Sequence, residues 1–320
     1  MSQALTVIEA GEQLPAALGP DLAAAVDLAQ AEKAVSTRKA YGTDFRLFRT
    51  WCDTKGVSAL PAAPETVAAY LAAQARTSRP STLGRRVAAI RYAHKLAELP
   101  LPTDAEGVKA TMRGIRRTLG SARIRKAPAV AAAMLGMVAG APDNLAGLRD
   151  RALLLLGFAG AFRRSELVAL DVNDIEETEA GLRVTIRYSK TDQDGQGVTI
   201  AIARGDVACP VKALRGWLDG AGIDAGPLFR PINKASRVAQ ARLTDRSVAN
   251  IVKAYAERAG FDASTFSGHS LRSGFLTSAA SNGASIFKMM DVSRHKSVDT
   301  LRGYVRDAEL FRDHAGKGLL

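Results

Sequence analysis

From Ser36 to Gly120 apolar side chains return every three or four residues and do not alternate, which commits this stretch to helices packed on one another. Tyr41, Phe45, Phe48 and Cys52 share one helix face after Ser36 as N-cap, and Gly56 ends the run. Pro64 precedes a shorter helix, ETVAAYLAAQ. Ser81 opens a third, with Leu83, Val87, Ile90 and His94 on one stripe. A fourth turns Val108, Met112, Ile115 and Leu119 inward and lays Lys109, Arg113, Arg116 and Arg117 along a neighbouring face.

Charge divides the chain. Residues 33–126 hold 19 bases and 6 acids, residues 1–32 hold five acids and no base, and residues 127–320 hold 25 bases and 21 acids. The net charge of +12 points to a polyanionic partner, nucleic acid before a membrane surface. Any one base of the fourth helix reads as solvated surface. The cluster reads as a DNA grip, because the acids that normally intersperse such a face are nearly absent. Arg85, Arg86, Arg123 and Arg125 join Lys109, Arg113, Arg116 and Arg117 as candidate DNA contacts. The expected division is an acidic, loosely held arm over 1–32, a helical DNA-binding domain over 33–120, a basic linker over 121–128 (SARIRKAP) and a second domain over 129–320.

Several classes are excluded by what the pattern lacks. Cys52 and Cys209 form no CxxC and no disulfide framework, which fits a reducing cytoplasm, and four scattered histidines make no structural zinc site. Neither a glycine-rich phosphate loop nor a dinucleotide fingerprint occurs, so no cofactor and no bound metal are expected. The longest uncharged stretch, Ala127 to Pro142, falls short of the roughly 20 residues a spanning helix needs. No base precedes Lys33, so neither secretion nor membrane insertion is expected.

Beyond residue 128 the pattern is mixed. Helices are predicted at 130–140, 146–158, 164–170, 211–220, 246–259, 269–281, 285–292 and 297–306. Leu182, Val184, Ile186 and Tyr188 alternate with polar partners, TDQDGQG is a turn, and VTIAIA (198–203) is a returning strand. Lys190 therefore sits at a strand end beside a hairpin tip. The fold class expected is mainly α with a small β-sheet: a helical front domain and a mixed, mostly helical rear one.

Three short stretches carry groups that could do chemistry. In GAFRRSELVAL, Arg163 and Glu166 share one side of a helix start beside an apolar run, where a buried arginine needs an anion and Glu166 could orient it. The commoner outcome for such a pair is a surface ion pair. In SGHSLRSG, His269 and Arg272 are flanked by small residues; a capping histidine with an unrelated arginine is the plainer reading. His295 and Tyr304 lie nine apart, so they converge only if a bend separates them, and Ser297–Asp299 is a plausible second helix start.

Each of these is weak alone, but their order is specific. Arg163, the hairpin Lys190, His269-x-x-Arg272, His295 and then Tyr304, behind a basic helical front, resemble the tyrosine recombinase (phage integrase) family, most closely its Cre-like members. The resemblance spans roughly residues 36–310. The family's usual Leu-Gly before the histidine is Ser293-Arg294 here, and its usual Thr-Gly before the first arginine is Ala161-Phe162; both changes read as packing, away from the reacting groups. The resemblance implies a site-specific recombinase that cuts and rejoins DNA through a 3′-phosphotyrosyl link to Tyr304, without metal or ATP. It implies Arg163 and Arg272 as the charges on the phosphate, Lys190 as acid toward the leaving 5′-oxygen, His269 as base or shuttle, His295 as phosphate donor, and Glu166 as support. It also implies homo-tetramers on two DNA sites, with the tail from 308 to 320 docked on its own domain or on a neighbour. Two other classes stay open: a type IB topoisomerase-like relaxing enzyme, and a DNA-binding regulator with silent catalytic residues.

Overall fold

In a computed structural model the chain is described at residues 18–120, 126–187 and 197–308. It separates into two compact units, Met1–Ile124 and Arg125–Leu320, each with its own core. The whole is mainly helical with one small sheet.

The first unit is built of α1 (Gly19–Ala31), α2 (Val35–Lys55), α3 (Pro64–Gln74), α4 (Pro80–Leu96) and α5 (Glu106–Leu119). Phe48 and Cys52 of α2, Val67, Tyr70 and Leu71 of α3, Leu83 and Ile90 of α4, and Val108, Met112 and Ile115 of α5 close one core. Phe48 and Trp51 meet the Tyr70 ring edge-on, at 5.0 and 5.4 Å between centroids. His94 is a satisfied core histidine: Nε2 accepts from the Ala62 N–H at 2.9 Å, so the proton sits on Nδ1, 2.9 Å from the Ile90 carbonyl.

Three boundaries differ from expectation. Ala34, extended at φ −50° and ψ 142°, stands at the N-cap of α2 in place of Ser36, and its carbonyl takes the first helical bonds from Thr37 and Arg38. Pro80 starts α4 ahead of Ser81, since its missing N–H is one that the first turn leaves unbonded anyway. Leu119, expected inside, is 49% exposed, because Ile115 is the last α5 side chain to reach the core. Within the acidic block, Gly19–Ala31 forms a helix whose alanines favour helix and whose Pro20 suits its first turn.

The second unit holds α6 (Ala131–Ala139), α7 (Leu145–Ala159), α8 (Arg164–Ala169), β1 (Ile175–Glu177), β2 (Gly181–Ile186), β3 (Val198–Ala203), α9 (Pro210–Ala221), α10 (Asp245–Arg258), α11 (Ser270–Ser281), α12 (Ile286–Ser293) and α13 (Val298–Ala308). The strands form one antiparallel sheet in the order β1-β2-β3. Leu182 pairs with Ile202 and Val184 with Ile200, so the alternating apolar residues of both strands bury together. β1 was not foreseen; three residues are too few to alternate, and pairing of Ile175 with Val184 defines it.

α7 is the central post, with Leu153, Leu154 and Leu156 fully buried and Asn144 capping its start through the Gly147 N–H at 2.9 Å. Two glycines let neighbouring backbone and side chains approach closely enough to assemble a site. A Cβ on Gly157 of α7 would stand 2.8 Å from Leu271 Cδ1 and 3.0 Å from Leu167 Cδ2, so α7, α11 and α8 meet here. A Cβ on Gly274 of α11 would stand 2.0 Å from the Ala129 carbonyl oxygen. Beside this core, Leu276, Ala280, Met289 and Leu301 join α11, α12 and α13 in a smaller cluster against which Tyr304 packs. No described helix is long and apolar enough to cross a membrane.

Candidate active site

Arg163 is the residue immediately before α8, and Glu166 lies three positions in. Glu166 Oε2 accepts from the Arg163 backbone N–H at 3.0 Å while Oε1 takes the Arg163 guanidinium. Glu166 is buried, so this is not the surface pair that such spacing usually yields. Its carboxylate has a second partner that the sequence reading missed: Arg294 Nη2, 2.8 Å from Oε2. Burial pushes the Glu166 carboxyl up, but Arg294 and then Arg163 outweigh it and hold the group below the ordinary carboxylate range.

α11 supplies the next pair. His269 stands just ahead of the helix without a side-chain cap bond, so the capping role does not apply. The turn beneath is tied by Ser267 and Ser270: the Ser267 N–H donates to Ser270 Oγ at 3.0 Å, and the Ser270 N–H to the Ser267 carbonyl at 2.9 Å. One turn on, Arg272 is 1% exposed; Nη1 donates to the Ala161 carbonyl at 2.7 Å and Nη2 lies 3.2 Å from His295 Nε2. Burial, then Arg163 and Arg294, push Arg272 down to about 9, which still leaves it cationic at neutral pH.

The bend expected between His295 and Tyr304 is present. α12 stops at Ser293, Arg294 takes the left-handed conformation, and α13 begins at Val298. This turn brings His295 onto Arg272 and places Tyr304 within electrostatic reach of the same guanidinium. Ser293 Oγ lies 2.8 Å from His295 Nδ1. Ser293 and Arg294, read from sequence as packing changes, therefore both touch candidate site residues, Ser293 at His295 and Arg294 at Glu166. The signal that could have found Arg294 was a charged residue directly before the histidine, where the family places glycine.

Arg163, Arg272 and Arg294 face one carboxylate, Glu166, and two histidines held neutral. Burial and then Arg272 and Arg163 depress His269, and the same causes in that order push His295 down to about 4. The constellation thus carries uncompensated positive charge in a poorly hydrated place, the electrostatics of a site shaped for an anion.

Lys190, Arg123 and Arg125 lie outside the described residues, as do the tail residues beyond 308. β2 ends at Ile186, and Arg187 after it is anchored to Asp171 at 2.6 Å and Asp174 at 2.8 Å. In the first unit, Lys109, Arg113, Arg116 and Arg117 are exposed on α5, with Arg113 paired to Glu106. Arg85 and Arg86 have partners within their own unit. Arg85 Nε is 2.6 Å from buried Asp44, and Arg86 donates to Gln74 at 2.6 Å with its guanidinium 5.9 Å from the centre of the Tyr70 ring.

The chain is 42% identical over 290 residues to the XerD homologue, an integrase/recombinase of Selenomonas ruminantium, covering 88% of this chain and 85% of the relative. It is 27% identical over 284 residues to recombinase Cre of Escherichia phage P1, covering 82% of each. The Tn1549 transposon integrase, solved in complex with transposon right end DNA, shares the fold at a TM-score of 0.61, with 14% identity over 90% of this chain and 97% of that one. The lambda integrase dimer on a core site superposes at 0.60, with 17% identity over 88% and 92%. Residues 131–310, from α6 through α13 and so spanning Arg163 to Tyr304, match the model of the phage integrase family, and the chain belongs to that family.

Proposed function

We propose that this tyrosine recombinase cuts and rejoins double-stranded DNA at specific sites through a 3′-phosphotyrosyl intermediate on Tyr304. The observation that carries the reading is the surplus of guanidinium charge gathered around neutral His269 and His295, with Tyr304 in reach. The Tyr304 hydroxyl attacks phosphorus, the phosphorus–O5′ bond breaks, and the new ester keeps the bond energy for the reverse attack by a 5′-hydroxyl. The phenolic proton passes to His269, whose depressed pKa leaves it a free base at neutral pH. Lys190 protonates the leaving 5′-oxygen. Arg163 and Arg272 take the charge that develops on the non-bridging oxygens, which is the work a metal would otherwise do. Glu166 orients and does not react.

The working assembly is a homo-tetramer on two DNA sites, and the basic face of α5 grips backbone phosphates. The two cysteines are free, which fits action in a reducing cytoplasm at the bacterial nucleoid. The deciding experiment is incubation with duplex DNA followed by denaturing electrophoresis. A covalent adduct is expected; its absence would return the chain to a silent regulator. Recombinant junctions between two sites are expected as well, and relaxation of supercoils without them would favour a topoisomerase.

A further inference from the structure

α12 ends on a residue that its backbone does not favour. Arg294 has φ 57° and ψ 37°, where glycine is at ease and a side chain is crowded. Its guanidinium explains why it stays. Nη1 donates to the carbonyls of Gly160 at 3.0 Å and Val292 at 2.5 Å; Nη2 donates to the Ala161 carbonyl at 3.1 Å and to Glu166 Oε2 at 2.8 Å. With both terminal nitrogens so engaged and the residue only 9% exposed, Arg294 has no terminal N–H to spare for a phosphate.

The partners are the informative part. Ala161 is itself left-handed, at φ 46°, and its carbonyl also receives Arg272 Nη1 at 2.7 Å. Glu166 in turn holds both the backbone and the guanidinium of Arg163. One buried side chain therefore reaches Arg163 through a carboxylate and Arg272 through a carbonyl. Backbone strain at two facing residues, held by contacts from distant elements, is the signature of a site kept in one geometry.

We propose that Arg294 is a positioning residue for strand cleavage, clamping Glu166 and the Gly160–Ala161 turn so that Arg163 and Arg272 stand at the spacing the phosphate requires. This rests on the reading of Tyr304 as the nucleophile. The test uses the full chain and a duplex that it selects from a random-sequence pool. Arg294→Gly suits the left-handed backbone and removes only the clamp; Arg294→Lys keeps the charge and loses the fork. Both should bind the duplex nearly as the natural chain does but form the covalent adduct about tenfold or more slowly, the scale expected of misplaced catalytic groups. Added guanidinium at millimolar concentration should recover part of the Arg294→Gly rate, and tetramethylammonium at equal ionic strength should not.

Adduct formation by Arg294→Gly at the natural rate would overturn the proposal. So would a loss of rate matched by an equal loss of affinity with no guanidinium recovery, since that is what a merely structural residue gives. If Arg294→Gly does not fold, Arg294→Lys decides: cleavage at the natural rate rejects the clamp. If the natural chain itself forms no adduct, the reading of Tyr304 fails and this proposal goes with it, an outcome distinct from an unaffected variant.

Discussion

Ser293 Oγ lies 2.8 Å from Nδ1 of His295 and donates its single proton to the Met289 carbonyl at 2.6 Å. The hydroxyl can then only accept from the ring, so Nδ1 carries the imidazole proton and Nε2 carries a lone pair. Arg272 Nη2 stands against the same ring, 3.2 Å from Nε2 and 3.3 Å from Nδ1. A second proton on the ring is therefore opposed by burial first and then by Arg272, Arg163, His269 and Arg294, which together push His295 down to about 4.

That depression has a sign in pH. The unfolded chain takes up a proton near the ordinary value of 6.5 and the folded chain does so only near 4, so this contribution to stability is intact above 6.5 and is lost as pH falls through that window. His269 acts in the same direction. The ring resonances of His295 should titrate well below 6.5 in the free protein and move upward when DNA phosphate offsets the guanidinium charges. A free-protein midpoint at 6.5 would contradict the geometry. Ser293→Ala, which removes the acceptor on Nδ1, should release the tautomer and alter the titration.

Glu166→Ala leaves two arginines without the carboxylate they share. Removing one partner of a buried pair costs about 3–5 kcal/mol, so urea unfolding should show a loss of that size. Glu166→Gln keeps an acceptor of the same shape and should lose less. Equal losses would mean that charge, and not hydrogen bonding, holds the two guanidiniums.

Tyr304→Phe should abolish adduct formation while leaving DNA affinity nearly unchanged, because the hydroxyl supplies a bond to phosphorus and little binding. An adduct formed by the Phe variant would sink the assignment of the nucleophile.

Lys190→Ala should be slow on ordinary DNA and recover on a substrate with sulfur in place of the bridging 5′-oxygen, since a thiolate leaves without a proton. Equal failure on both substrates would remove Lys190 from the role of acid.

Neutralising Lys109, Arg113 and Arg116 together should weaken binding to every duplex and flatten the salt dependence by roughly 0.9 log units per lost phosphate contact. The exposed Arg113–Glu106 pair should not protect against this, because such pairs are worth little. Arg85→Ala serves as contrast: with Asp44 buried beneath it, the change should lower stability more than it changes the slope.

The helices of both units other than α1, the strand over 198–203 and the basic face of α5 were legible in the sequence because each rests on a local period, 3.6 residues for a helix and two for a strand. The order of Arg163, His269, Arg272, His295 and Tyr304 was legible too, and so was the need for a bend after His295. What the sequence left undecided was how these groups share charge. Arg294 meets Glu166 across 128 positions, and Arg272 meets the Ala161 carbonyl across 111. Neither contact follows from any local pattern. They arise only when the end of α12 and the first turn of α11 close onto the turn between α7 and α8, and only there do two guanidiniums share one carboxylate within electrostatic reach of a third. A lone arginine before a histidine reads as surface or packing; buried beside Glu166, it becomes part of the site, because a charge taken out of water must find partners wherever the fold has put them.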